Sequence, residues 1–201
     1  MKKTLLTLAL VAISVGAFAQ GKINMVNDAT RLVYFTSTLA ADAALLNQKA
    51  PAVLPSGSVL TIDLYGGATA GSLVLQRSTT INAAIPGGFG PSTYTSALPG
   101  GVDAFFQIFV HDATQPTEAA AAAAGLYSGH SAVFTMRPSG SIAFNAINNT
   151  GGTALSTWQP GTFALAGGEF GAIPIGIVPE PSSMALAGLG AASLLLFRRR
   201  K

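Results

Sequence analysis

The sequence predicts an all-β fold: an antiparallel β-sandwich with one short helix, flanked by an N-terminal signal peptide helix and a C-terminal transmembrane helix. Three observations predict it. Short apolar runs recur between Gly- and Pro-rich breaks, and several alternate with period two, as a strand with one buried face must. Only one stretch holds a sustained run of strong helix formers. The two ends are apolar segments bordered by cations and stand apart from this periodic middle. The chain therefore divides into residues 1–19, an exported domain over 20–172, and a tail over 173–201.

The first element is Met1–Ala19. Lys2 and Lys3 form a basic start, an apolar stretch runs from Leu5 to about Val15, and the small residues Ala17 and Ala19 flank Phe18. That A-x-A pattern suits signal peptidase, with cleavage after Ala19 and a mature start at Gln20. Strands follow at Ile23–Val26, Arg31–Phe35, Val59–Tyr65, Ser72–Gln76, Ala104–Val110, Ser131–Met136 and Ser141–Ile147. Leu60, Ile62 and Leu64 are expected to face the core and Thr61, Asp63 and Tyr65 to face away, with the same alternation at Ile142, Phe144 and Ala146. Two hairpins are expected. One turns at YGGATAGS, and the other at MRPSGSI with Pro138 and Gly140 in the turn. Thr114–Tyr127 is the helix: Pro116 sits in its first turn, Glu118 lies near the positive end of its dipole, and Gly125 can end it in a left-handed conformation. A second helix is expected over Thr38–Ala50, and a Gly/Pro loop over Gly87–Gly101.

The last element is the tail. Residues 184–197 are apolar, and Ser182 and Ser183 extend the run to 182–197; as a helix at about 1.5 Å per residue it spans roughly 21–24 Å, short of the ~30 Å hydrocarbon core. Ile173–Val178 is also apolar, but Pro179 and Pro181 interrupt any continuous helix. Arg198, Arg199, Arg200 and Lys201 hold the end on the cytoplasmic side. Such a segment anchors the chain marginally and suits a transient role.

Charge belongs to the ends. The chain carries 11 Lys and Arg, 8 Asp and Glu, and a formal charge of +3. Six of those basic residues lie in the two terminal signals, leaving five against eight acidic residues between Gln20 and Glu180, or −3. The middle has no basic patch for nucleic acid. The absence of cysteine removes disulfides, thiol nucleophiles and Cys-ligated metals.

Val178-Pro179-Glu180-Pro181, then a short hydrophobic helix, then a terminal basic cluster resembles a PEP-CTERM sorting signal of bacterial exported proteins. The resemblance covers Val178–Lys201. It implies recognition at Pro179, Glu180 and Pro181 by exosortase, a membrane transpeptidase-like protease, followed by removal of the tail. It also implies a setting of extracellular polymer and biofilm production. The middle is similar to an uncharacterised class of PEP-CTERM proteins, on GKINMVND, VLTIDLYGGATAGSLV and the aromatic strand before the E-A helix. One glycine of that pattern is Ser128 here. This second likeness implies no activity.

Catalytic and metal-binding side chains are sparse. Ser131, His111 and Asp103 are the residues from which a hydrolytic triad would be built, but there is no G-x-S-x-G elbow. Asp28, Asp103 and Asp112 are oxygen donors without calcium-loop spacing, and His111 and His130 are the lone imidazoles for zinc. Asn148-Asn149-Thr150 matches a glycosylation sequon and reads more simply as a polar turn. Tyr65, Tyr94, Tyr127 and Trp158 either fill and rim the core or stack on sugars. The expectation is a non-catalytic cell-surface or extracellular-matrix protein with no cofactor and no metal site. Its alternative is a carbohydrate-binding module delivered by the same route, with exposed coplanar aromatics as the discriminating feature. Signal peptidase, exosortase, the membrane through 182–197 and extracellular polysaccharide are the expected partners. The expected route is export across the inner membrane, transient anchoring, then the cell surface or medium.

Overall fold

A computed structural model describes residues 20–36, 43–149 and 156–177. The terminal signal helix, the C-terminal apolar segment and residues 38–42 of the expected second helix lie outside them. Strand β1 (Gln20–Met25) opens the domain, followed by β2 (Leu32–Phe35), β3 (Leu60–Gly67), β4 (Val74–Thr80), β5 (Ser92–Pro99) and β6 (Ala104–Asp112). Helix α1 (Glu118–Ala123) precedes β7 (Tyr127–His130), β8 (Phe134–Met136), β9 (Asn145–Ala146), β10 (Phe163–Ala164) and β11 (Phe170–Ile177).

The β-rich expectation holds and the purely antiparallel one does not, because both sheets are mixed. The smaller sheet has the order β5-β1-β9, and its β1–β9 pair is parallel. The larger has the order β10-β11-β7-β6-β3-β4, with β2 parallel to β11 and β8 antiparallel to β6. Parallel neighbours need long crossovers, which local turn signals do not encode. The sheets enclose one core. Ile23 and Met25 of β1 join Leu60, Ile62 and Leu64 of β3 and Phe106, Ile108 and Val110 of β6 in it. The alternation read along β3 is confirmed on its apolar face, where all three side chains are fully buried.

The YGGATAGS hairpin forms and joins β3 to β4. The MRPSGSI hairpin does not: β8 pairs with β6, while β9 pairs with β1, so the chain changes sheet there. Alternation over 141–147 is a false strand signal apart from Asn145–Ala146, and Ile142 is 90% exposed. The helix is a single short segment capped by Thr117, whose Oγ1 accepts from Ala120 N–H at 3.2 Å, with Pro116 just before the cap. Gly125 takes φ 66° just beyond it, as a left-handed terminator should. The described part of the second expected helix, 43–50, is a turn followed by a bridge from Lys49 to Tyr34.

Four strands escaped the sequence, among them the two-residue β10. β5 lies inside the expected loop: Tyr94, Ser96 and Leu98 turn inward and Thr93, Thr95 and Ala97 outward, but small hydroxyl residues blur the apolar period. β7 is too short and polar to signal itself. β11 is apolar enough to be grouped with the tail, yet Ile173 and Ile175 are fully buried in the core. Residues 173–177 are therefore the second half of a paired strand.

Candidate functional site

The processing residues read from sequence, Ala17 and Ala19 at one end and Pro179, Glu180, Pro181 and Arg198, Arg199, Arg200 and Lys201 at the other, lie outside the described residues. The structure places the point from which the tail departs. The last strand pairs Gly176 with Ser128 and Ile177 with Tyr127, so the domain is hydrogen-bonded up to the residue before the Val-Pro-Glu-Pro segment.

Ser131, His111 and Asp103 are strung along β6 and do not meet. Asp103 precedes the strand, exposed, and accepts from Arg137 Nε at 2.8 Å and Nη2 at 3.2 Å. Ser131 Oγ accepts from Ile108 N–H at 3.0 Å and donates to the Ala132 carbonyl at 2.8 Å. His111 sits three residues further along β6, about 10 Å at the rise of a strand. Its Nε2 lies 3.1 Å from Asp63 Oδ2 and its Nδ1 3.0 Å from the Asp112 carbonyl. Both ring nitrogens are occupied, so His111 has none left to activate a hydroxyl. Ser78 Oγ donates to the other Asp63 oxygen at 2.6 Å, extending the buried Asp63–His111 pair to the surface on the outer side of the large sheet. The sequence placed Asp63 on that side. Its partner is found only through the β3–β6 register, where Thr61 faces His111 and Asp63 is its diagonal neighbour.

The oxygen donors considered for calcium are likewise separate. Asp28 accepts from Thr30 Oγ1 and pairs with Arg31 Nη1, each at 2.6 Å, and also accepts from Asn148 Nδ2 at 3.1 Å. Burial pushes its carboxyl up, but the Thr30 bonds, the Arg31 charge and Asn148 hold it below the ordinary carboxylate value. Asp112 accepts from Ser58 Oγ at 2.6 Å and Thr114 Oγ1 at 2.7 Å. Burial raises this carboxyl too, and the hydrogen bonds with the neighbouring His111 bring it below the usual range. His130 is exposed, 3.5 Å from Glu118, and shares no site with His111.

The aromatics divide. Trp158 is buried, stacked near Phe134 at 5.4 Å and Phe89 at 6.4 Å, with the Arg31 guanidinium 5.6 Å from its ring. Arg31 Nε also donates to the Trp158 carbonyl at 2.9 Å, which fixes the segment 156–162 to the body of the domain. Tyr127 packs edge-on against Phe35, with 5.2 Å between centroids. Tyr94 turns inward, where burial drives its phenol far above the ordinary value with only partial relief from Arg77. Tyr65 alone of the four faces outward. It meets Phe109 at 4.9 Å and 69°, and Phe109 meets His130 at 5.6 Å and 47°. This row crosses three strands, but its rings are not coplanar.

One cleft was invisible to sequence. β7 pairs with β11, but β8 pairs with β6 and, on its other edge, only with a bridge from Met136 to Ser156, so the sheet opens between β8 and β11. Thr157 follows the outer edge of β8, its N–H donating to Thr135 O at 2.8 Å. The opening, about 330 Å³, is lined by Tyr34, Phe134, Thr157, Trp158, Gly171 and Ala172. That volume is at the lower end of small-ligand sites. The faces of Trp158 are taken by Phe134, Phe89 and Arg31, and a face of Tyr34 stacks on Phe163 at 4.7 Å.

Compared with known proteins, residues 178–201 match the model of the PEP-CTERM protein-sorting motif. No curated protein matches the chain. No solved structure does either.

Proposed function

We propose, taking a β-domain that ends in a PEP-CTERM sorting motif as the premise, that the chain is a non-catalytic exported protein of the cell surface or extracellular matrix. The motif itself implies export, transient anchoring and processing by exosortase. The carrying observation is continuity: the matched segment begins at residue 178, directly after the last paired residue of β11. The division of labour follows. Residues 20–177 are the cargo, and residues 178–201 are the address, read in the membrane and cut off near Pro179-Glu180-Pro181. Signal peptidase acts first, after Ala19. The non-catalytic reading is supported by the separation of Ser131, His111 and Asp103 and by the double engagement of His111.

Intact mass of the protein from its own host, taken in membrane and extracellular fractions, tests this. The expected species begins at Gln20 and ends near Pro179-Glu180-Pro181, with any added mass identifying what it is joined to. A species that keeps Arg198–Lys201 and occurs only in membranes refutes sorting and leaves a plain anchored protein.

A second reading, the carbohydrate-binding module, is favoured by one observation: the outward row of Tyr65, Phe109 and His130. Its rings are tilted, which suits a flat sugar face less well than a coplanar platform. Depletion of the protein by insoluble host polysaccharide, lost on Tyr65→Ala, supports this reading. Equal depletion by both proteins refutes it.

A further inference from the structure

The two ends of the β-sandwich differ, and the tail leaves from one of them. β11 runs toward the end where β3 begins and β6 finishes: Leu60 pairs with Asp112, His111 with Ser128, and Ile177 with Tyr127. The turn before β3 and the segment leading to α1 close this end, with Ala113 N–H donating to Val59 O at 2.9 Å. The turn at 43–47 joins them through Asn47 N–H to Phe35 O, next to Thr36 N–H to Ile175 O. The exposed side chains here are apolar, small, or polar without charge, Asn47 and Gln48 among them. Val53 is 57% and Leu46 37% exposed, with Pro55, Ala119 and Ala123 beside them. The described carboxylates of this end are engaged, Asp112 by Ser58 and Thr114 and Glu118 by His130. The opposite end carries the exposed Arg137–Asp103 pair and Lys22, together with the exposed Val102, Ile142 and Phe144, so exposed apolar area does not by itself choose between the ends.

Chain length does the rest. From Ile177 to Ser182, where the apolar segment starts, is five residues. Fully extended they reach about 18 Å. The headgroup layer takes roughly 5–8 Å of that. Little more than about 10 Å is left between the end of β11 and the lipid surface. The far end lies eight residues away along β6, about 27 Å at strand rise.

We propose that, while the tail is inserted, the end from which β11 leaves lies against the bilayer surface, with Val53, Leu46 and the outer alanines of α1 at headgroup level and the Arg137–Asp103 end turned away. The placement rests on the tail being the membrane anchor. It gives the anchored precursor a fixed orientation.

The chain has no cysteine, so single labels are clean. Val53→Cys, Ala123→Cys and Ile142→Cys are made in residues 20–201, labelled with an environment-sensitive dye, and reconstituted in phosphatidylethanolamine–phosphatidylglycerol vesicles that contain a headgroup-linked quencher. Flotation with the vesicles, with quenching at positions 53 and 123 several-fold stronger than at 142, is the expected result. Flotation with equal quenching at all three positions overturns the placement and leaves the anchor standing. Failure to float overturns both. Shielding of position 53 that is independent of lipid and accompanied by a crosslinked dimer overturns it in favour of a second copy at this end.

Discussion

Cutting the chain before residue 173 is expected to unfold the domain, and cutting it after residue 177 to leave it intact. The first cut removes Ile173 and Ile175, both fully buried. Loss of a buried isoleucine side chain to alanine size costs about 2–5 kcal/mol, so the pair accounts for roughly 4–10 kcal/mol. It also removes the parallel partner of β2, including the 2.7 Å bond from Thr36 N–H to Ile175 O, and the partners of Tyr127 and Ser128. A domain of this size is stable by only about 5–15 kcal/mol, so the loss equals most or all of it. The assay is urea unfolding of residues 20–177 and 20–172, followed by fluorescence of the single, buried Trp158. The longer chain is expected to show one cooperative transition and the shorter none. Ile175→Ala in the longer chain is expected to lower stability by about 2–5 kcal/mol. Matching urea midpoints for the two chains refute the reasoning, and with it the claim that β11 is integral to the core. The physiological corollary is that processing near Pro179-Glu180-Pro181 spares the fold, whereas a cut five residues earlier does not.

Three further outcomes are expected. Arg31→Met removes charge-assisted bonds to the Trp158 carbonyl and to Asp28; because the Asp28 side chain is 37% exposed, the cost is expected at about 2–3 kcal/mol by urea titration, and a change under roughly 0.5 kcal/mol contradicts it. Asp28 and Asp112 are both held below their unfolded value of 3.8, so the stability they contribute is complete above that value and lost as pH falls through their lower folded values. The urea midpoint is therefore expected to be flat above about pH 5 and to fall below about pH 4, and Ser58→Ala, which removes one bond to Asp112, is expected to shrink that fall. Gly129→Ala drives a methyl into the Pro174 carbonyl oxygen between β7 and β11, and the expected cost of about 1–3 kcal/mol is read as a lower thermal midpoint.

The features legible in the sequence are those written locally. The period-two pattern of Leu60, Ile62 and Leu64 gives a half-buried strand because successive side chains alternate faces. The glycines between β3 and β4 give their hairpin, and Thr117 with Glu118 starts the short helix. The sorting tail is legible for the same reason: a proline-flanked glutamate, an apolar run and a basic cluster lie in order within 24 matched residues. Only the tertiary structure decided the rest. The parallel pairings of β1 with β9 and β2 with β11 join residues more than a hundred positions apart, and no spacing rule announces them. The contact of His111 with Asp63 follows from the β3–β6 register, and the core position of Trp158 from the Arg31 anchor and its ring neighbours. The boundary at Ile177 was hidden because an apolar segment reads alike whether it enters a core or a membrane. What separates the two is whether its backbone finds partners in the domain, and β11 finds them in β2, β7 and β10.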